Sequence, residues 1–261
     1  MSAPGSEPPR EGRVDRASLA VVGFADGCDV YERGRPGYPD ELVRELVGAA
    51  GPGGVVLDVA AGTGKLTRQL VAAGVGCLAV EPSGGMRDVL ARAVRGTPVV
   101  AATAEALPVA GGRVDLVTVA QAFHWFDTVP ALAELARVLR GGGWLALIWN
   151  ERDESLGWMA ELGRIMRWRE FQPYRDGATF RGALDASGHF EASVRRQFGW
   201  VDATDRAGLV DLVASRSYVN AMAPDERTPL LEAVAALADT LPETIEVPYV
   251  TDVYLARRRD R

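Results

Sequence analysis

The chain is short of most features that mark exported, metal-bound or membrane-spanning proteins. Its 261 residues hold two cysteines and two histidines. Cys28 and Cys77 share no metal-ligand spacing with each other or with His124 and His189, so no metal site is expected and a structural disulfide has little to motivate it. Long apolar runs are missing too. The longest uncharged stretches, 46–57 and 69–80, are 12 residues each, against the roughly 18 that a membrane span needs. Net positive charge is absent: the balance is −6, and the basic residues gather nowhere except 257–261, which argues against a general nucleic-acid binder. The first twenty residues lack the apolar core of a signal peptide. Lysine is nearly absent, with Lys65 alone beside 28 arginines. The expectation is a soluble, cytoplasmic, metal-free protein with no membrane or nucleic-acid partner.

What is present is ordinary for a globular fold, at 48% hydrophobic and 25% charged residues, in a length suited to one large domain. Residues 1–20, rich in Pro, Gly, Ser, Glu and Arg, read as a disordered tail, leaving 21–261 as the domain. The segment 29–39 carries too much Pro and Gly for a helix interior. A helix opens at Pro39-Asp40, with apolar spacing at Leu42, Val43, Leu46 and Val47, and ends at Gly51-Pro52-Gly53-Gly54. Strands then alternate with helices: strand 55–61, helix 65–73, strand 77–80, helix 86–95, strand 99–102, strand 114–120, helix 130–140, a break at 141–143 and strand 144–149. That alternation predicts a parallel sheet covered on both faces. Beyond Asn150 the rhythm changes: helix 155–168, a short helix 182–187, strand 192–200, helices 205–218 and 229–241, and strand 247–256.

The chemistry concentrates in Val55-Val-Leu-Asp58-Val-Ala-Ala-Gly62-Thr-Gly64-Lys-Leu-Thr67, where a buried strand enters a glycine-rich turn and a helix follows at once. Glycine allows backbone conformations closed to other residues and lets a ligand approach the main chain. A phosphate-binding loop would need Ser or Thr after Gly64-Lys65, where Leu66 stands, and a glycine five positions before Gly64; Lys65 then reads as a solvated first-turn residue. A nicotinamide or flavin loop would need a third small residue where Thr67 stands. An S-adenosylmethionine site fits better. Asp58 can face an ammonium group, the glycines can let an amino-acid moiety lie on the backbone, and Glu81, 19 positions after Gly62, can accept two hydrogen bonds from ribose hydroxyls.

Six segments, that loop among them, run in a matching order: Val30-Tyr-Glu-Arg-Gly-Arg-Pro-Gly-Tyr-Pro39, Leu57-Asp-Val-Ala-Ala-Gly-Thr-Gly64, Val80-Glu-Pro-Ser-Gly-Gly-Met86, Thr103-Ala-Glu-Ala-Leu-Pro108, Ala120-Gln-Ala-Phe-His-Trp-Phe-Asp127 and Arg137-Val-Leu-Arg-Gly-Gly-Gly-Trp144. Ser215-Arg-Ser-Tyr218 and Val247-Pro-Tyr-Val-Thr251 also match. On these residues the chain resembles the class I methyltransferases, and within them the small-molecule group that includes trans-aconitate methyltransferase-like proteins, over about residues 24–256. The resemblance implies an α/β, Rossmann-like doubly wound seven-stranded sheet, mostly parallel with the last strand antiparallel. It adds an N-terminal cap (24–48) and a helical lid between strands five and six (about 151–190). S-adenosyl-L-methionine is the implied cofactor. Asp58, Ala60, Gly62 and Gly64 would line its methionine part, Glu81 would bind ribose, Pro82 and Met86 would pack on adenine, and Ala104 and Glu105 would meet the adenine edge. Gln121 would lie near the transferable methyl, and Tyr31 and Arg35 would close over the cofactor. Two positions depart from the family's pattern. Ala60 replaces the first glycine, which a negative φ would accommodate, and Arg140 stands where a proline is common.

His124, just past strand four, is the candidate general base, with an unperturbed pKa near 6.5; its rival role is to cap the strand beside Trp125. Glu105 has a rival role as a turn residue. The lid stretch of Trp158, Trp168, Phe171, Tyr174 and Phe180, with Arg152, Arg167, Arg169 and Arg175, is the expected acceptor surface, since arginine holds carboxylates bidentately. The expected activity is methyl transfer to a small molecule, to oxygen of a carboxylate or hydroxyl ahead of nitrogen or carbon, by a monomer or homodimer. A cyclisation-coupled methyltransferase, a nicotinamide oxidoreductase and a non-catalytic cofactor-binding protein are the alternatives.

Overall fold

The computed structural model describes residues 27–167 and 177–260. The tail read over 1–20, and Trp168, Arg169, Phe171, Tyr174 and Arg175 of the lid, lie outside the described residues. The chain opens with α1 (Cys28–Gly34) and α2 (Asp40–Ala50), followed by β1 (Val55–Val59), α3 (Lys65–Ala72), β2 (Gly76–Val80), α4 (Gly84–Ala93), β3 (Val99–Val100) and β4 (Val114–Ala120). A 3₁₀ turn (Phe123–Trp125), α5 (Thr128–Val138) and β5 (Leu139–Arg152) follow. The distal part holds α6 (Gly157–Ile165), α7 (Gly177–Ala186), β6 (Val194–Thr204), α8 (Arg206–Ala214), α9 (Ser217–Asn220), α10 (Pro224–Ala238) and β7 (Ile245–Arg257).

The sheet has seven strands in the order β3-β2-β1-β4-β5-β7-β6. β1 through β5 pair in parallel, and β7 runs antiparallel between β5 and β6. The chain winds outward from β1 to β3 and then returns across β1 to lay down β4. The C-terminal ends of β1 and β4 therefore frame the crevice where doubly wound sheets bind ligands. The neighbours Val56 and Leu57 enter opposite cores, as buried parallel strands require. Leu57, Val117 and Val119 pack with Leu132 and Leu135 of α5, while Val56, Leu116 and Ile148 pack with Leu42 and Leu46 of α2 and Leu70 of α3. A third core joins α6, α8 and α10 to β7 through Met159, Leu162, Leu209, Val213, Val234 and Val247.

Two local expectations are corrected. Residues 28–34 are helical although the segment is rich in Pro and Gly, because Pro36, Gly37 and Pro39 all fall after α1 and its one glycine, Gly34, is its last residue. The glycines 141–143 do not interrupt the chain between α5 and a later strand. β5 already begins at Leu139, and its register shifts between the partners of Val114 and Leu116. Gly142, at φ 69°, absorbs that irregularity, a conformation glycine adopts without strain.

Candidate active site

The glycine loop departs from β1 at Asp58, whose carboxylate is 1% exposed. The Thr67 hydroxyl donates to Asp58 Oδ2 at 2.6 Å, and the Thr118 hydroxyl donates to Asp58 Oδ1 at 2.8 Å. These bonds tie β1 to α3 and β4 and hold the loop's root rigid. Burial raises the Asp58 pKa to about 6 against the opposing pull of the two hydroxyls. Thr67, the residue that disfavours a dinucleotide loop, is thus a fixed partner of this acid.

The loop itself is built from left-handed backbone. Ala60 has φ 55°, Gly62 58° and Gly64 87°, and Gln121 at the end of β4 has φ 60°. The negative φ that would have accommodated Ala60 is not found. Its methyl sits in a left-handed conformation that costs about 1–2 kcal/mol for a non-glycine residue. Two such non-glycine residues, at the tips of adjacent strands, mark the crevice as a place where strain is held by its surroundings. Gly64 needs to be glycine twice over, since a Cβ there would also stand 2.8 Å from Leu90 Cγ.

Glu81 at the tip of β2 is 6% exposed and grips the loop. Its Oε2 accepts from the Gly62 N–H at 2.9 Å and its Oε1 from the Ser83 N–H at 2.8 Å. Each oxygen keeps a second acceptor site for a ligand hydroxyl. Burial raises the Glu81 pKa, while the two backbone donors and Arg87 oppose that rise. Arg87 in turn donates to the carbonyls of Glu81 and Pro82, at 2.9 and 2.7 Å, fixing the turn into α4.

One cavity, about 570 Å³ of non-protein space including its open mouth, lies over the ends of β1 and β4. It brings together Tyr31, Arg35, Asp58, Ala60, Gly62 and Gln121 from the sequence-derived set. Tyr31 and Arg35 stack, with the guanidinium 4.9 Å from the ring centre. Arg35 also donates to the Ser215 carbonyl at 3.2 Å, across 180 residues of sequence. Two buried polar atoms of the lining, Thr63 Oγ1 and Gln121 Oε1, have no hydrogen-bond partner among the described residues, which suits a wall that hydrogen-bonds a ligand.

The remaining expected residues, Glu81 and Pro82 among them, are not on the wall of this cavity. Gly64 caps α3, Met86 is buried with Cys28, Val89 and Tyr31, and Ala104 belongs to the main core. Glu105 accepts from the Asp127 N–H at 3.0 Å, which gives it the turn-holding contact that was its rival role. His124 sits on the 3₁₀ turn with its ring 4.9 Å from that of Trp125. Lys65 is not the solvated residue expected: it lines the cavity, its side chain is 21% exposed, and its Nζ lies 3.6 Å from Glu32 Oε1. Burial lowers its pKa, with Glu32 opposing. Both cysteines are buried and not disulfide-bonded to each other, and no cluster of metal-ligating side chains exists among the described residues.

Sequence reasoning assigned no role to Thr63, Asn150, Arg216 or Tyr249, all of which line the cavity. The last two stand in segments that look familial, Ser215–Tyr218 and Val247–Thr251, but nothing in those segments points toward Asp58. Asn150 carried a usable signal as a polar residue ending an apolar strand. Its Nδ2 donates to the Gly37 carbonyl at 2.8 Å, and its Oδ1 accepts from the Thr251 hydroxyl at 2.7 Å.

A doubly wound sheet with a strained glycine loop and an acid at each of the first two strand tips defines a domain that binds a nucleoside-bearing cofactor at its switch point. Comparison with known proteins makes the class definite. The family model described as a methyltransferase domain matches residues 57–147. An uncharacterized methyltransferase of Mycobacterium tuberculosis is 43% identical over 235 residues, which cover 88% of this chain and 93% of that one. Among solved structures, a chain described as a type II methyltransferase from Anaeromyxobacter dehalogenans superposes with a TM-score of 0.64 at 24% identity, covering 86% of this chain and 97% of that one. A phosphoethanolamine N-methyltransferase from Haemonchus contortus, solved with phosphomonomethylethanolamine and S-adenosylhomocysteine, has a TM-score of 0.56 at 13% identity, covering 97% of this chain and 61% of that one. The chain belongs to the class I S-adenosylmethionine-dependent methyltransferases.

Proposed function

We propose that the cavity over β1 and β4 holds S-adenosylmethionine and that the enzyme transfers its methyl group to a small-molecule acceptor, with oxygen of a carboxylate or hydroxyl as the methylated atom. The observation that carries this reading is the pair of acids flanking one strained loop. Asp58 is buried at its root and Glu81 is hydrogen-bonded to Gly62 at its crown. The cofactor supplies an activated methyl on a sulfonium. The protein's share is alignment and exclusion of water. Asp58 faces the ammonium of the amino-acid part, whose arrival favours the ionised carboxylate. Glu81 takes the ribose hydroxyls on the acceptor sites left over from Gly62 and Ser83. Thr63 and Gln121 supply hydrogen-bonding groups that are unmatched among the described residues, and Tyr31 and Arg35 cover the site from above. Pro82 and Met86 form the adenine side, with Ala104 and Glu105 near its edge. His124 is placed past β4 as the group to remove a proton from a hydroxyl acceptor; a carboxylate acceptor needs no base.

Calorimetric titration with S-adenosylhomocysteine and with NADH tests the cofactor assignment. The expected outcome is binding of the first and not the second, with loss of binding in Glu81→Ala and in Gly62→Val. Gly62 at φ 58° cannot take a β-branched side chain without moving the loop. Unchanged affinity in both variants would sink the assignment.

A further inference from the structure

The sheet ends at β6, and among the described residues no strand pairs with the outer edge of that strand. The edge is 11 residues long, Val194 to Thr204, and its inner side pairs with β7 over the whole length. An unpaired row of backbone N–H and C=O groups is a template for another strand, which proteins block with short edges, bulges, proline or unpaired charges. β6 holds no proline, and its register with β7 runs without a shift. Its two arginines are already neutralised, Arg195 by Asp252 at 2.8 Å and Arg196 by Glu45 at 3.4 Å. Of the five exposed large apolar residues among those described, two lie on this strand, Val194 at 49% and Val201 at 53%.

Two residues of β6 have no explanation inside the chain. Asp202 is half-buried, yet among the described residues it makes no hydrogen bond and no ion pair; Lys65 acts on it only at longer range. Gly199 is the midpoint of the strand, with five residues on either side. Its φ is not left-handed, and a Cβ there would meet no atom within 4 Å among the described residues. Glycine inside a strand weakens it and commonly marks the close approach of another backbone.

A second copy of the same strand accounts for both. When two copies pair antiparallel about a two-fold axis through Gly199, residues equidistant from Gly199 become opposite neighbours. Val194 then meets the partner's Thr204, so the full length pairs. Arg196, whose side chain is 59% exposed, meets the partner's Asp202 with donors to spare beyond Glu45. Phe198 meets the partner's Trp200, and Gln197 meets the partner's Val201. Moving the axis to Phe198 sets Asp202 against the partner's Val194, and moving it to Trp200 sets Asp202 against the partner's Phe198. Either move also shortens the pairing by two residues. Charge and length therefore select the same register.

We propose that β6 is the homodimer interface of this enzyme, where a second copy adds its own β6 antiparallel with Gly199 on the two-fold axis. Backbone hydrogen bonds, roughly one per residue, supply adhesion, and the Arg196–Asp202 pair, repeated by symmetry, fixes the register. A residue on the axis always faces its own copy, and glycine sets neither bulk nor charge against itself. Neither cofactor nor acceptor enters this argument, so it stands apart from the function proposed above.

Sedimentation equilibrium of the full chain at concentrations up to about 0.1 mM tests the interface. The expected species is a dimer of twice 27.9 kDa. Gly199→Glu sets two carboxylates face to face and should weaken the dimer by about a hundredfold. Arg196→Glu should weaken it by about tenfold or more, whereas Val129→Glu, at an exposed position on α5, should change it by less than about twofold. Crosslinking tests the register and decides the matter if Gly199→Glu does not fold. A short bismaleimide should join two copies of Gly199→Cys but neither two copies of Val201→Cys nor the unaltered chain. In the proposed register each Val201 and the partner's Val201 are four residues apart along the strands, about 14 Å. A monomer at every concentration overturns the proposal. So does a dimer that survives both Gly199→Glu and Arg196→Glu, or one in which Val201→Cys crosslinks as well as Gly199→Cys does.

Discussion

At the scale of single residues, Asp58 is the group whose setting has the clearest consequence. Its pKa is raised from 3.8 to about 6 by burial. The folded chain therefore binds this proton more tightly than the unfolded chain does. Ionised Asp58 weighs against folding above pH 6, by at most ~3 kcal/mol, and that burden is relieved as pH falls through 6 toward about 4. A ligand ammonium reverses the preference. Expected, then, is S-adenosylhomocysteine affinity that falls as pH drops below about 6, by up to tenfold per unit, and a flatter, weaker profile in Asp58→Asn. In urea denaturation of the ligand-free protein, the stability gained by Asp58→Asn should shrink between pH 7.5 and 5, whereas a constant gain would contradict the raised pKa. His124 is a second single-residue question. If it removes a proton from the acceptor, His124→Ala lowers turnover by about 100-fold at unchanged S-adenosylhomocysteine affinity. A mild effect assigns catalysis to alignment alone and leaves His124 as the partner of Trp125. Both residues were legible in the sequence, because each stands at the end of a strand whose apolar run announces it. The strain at Ala60 was not, since φ depends on where the loop must go rather than on which residues compose it.

Among elements, α1 is the one the sequence concealed. It lies against α8 and α4, and Gly34 is its closest point of approach: a Cβ there would stand 2.2 Å from the Asp211 carbonyl oxygen. Such a contact with backbone has no flexible side chain to yield, so Gly34→Ala should push α1 off α8. The expected cost is about 1–3 kcal/mol in denaturant unfolding, accompanied by weaker S-adenosylhomocysteine binding, because Tyr31 and Arg35 move with the helix. Loss of stability without loss of affinity would detach α1 from the site. Four ion pairs among the described residues also hold the helix, Arg33 to Asp211 at 2.7 Å, Glu32 to Arg68 at 2.9 Å, Glu32 to Lys65 at 3.6 Å and Asp29 to Arg92 at 3.8 Å. They are partly exposed and count for less than the packing. The alternating elements from β1 to β5 were readable because each buried strand and amphipathic helix carries its own period. α1 was hidden because seven residues give too few turns for a period to register, and its helical state is fixed by packing on α8, which follows about 170 positions later.

On the scale of the whole molecule, β7 is what connects the two halves. Inserted antiparallel between β5 and β6, it brings Thr251 between Asn150 and Phe198. Trp200 Nε1 donates to the Thr251 hydroxyl at 2.8 Å, that hydroxyl donates to Asn150 Oδ1, and Asn150 donates to the Gly37 carbonyl. One buried relay thus runs from the edge strand to the segment that covers the cavity. Thr251→Val keeps the shape and removes the link, leaving a buried indole N–H and an amide oxygen unmatched. The expected loss is about 1–3 kcal/mol in urea unfolding with an unchanged m value. A loss below ~0.5 kcal/mol would show that the relay carries little.

By itself the sequence determined the α/β alternation, the glycine loop with its acids at 58 and 81, and through the ordered motifs the methyltransferase class. Each of these is written in contiguous residues, where period, turn chemistry and spacing act locally. Only the tertiary structure decided that Asn150, Arg216 and Tyr249 share one cavity with Asp58, and that Lys65 turns inward to Glu32. Those meetings depend on strand order and on the reversed direction of β7. Both are set by how separate apolar faces bury one another across the whole sheet, and no local pattern encodes that choice.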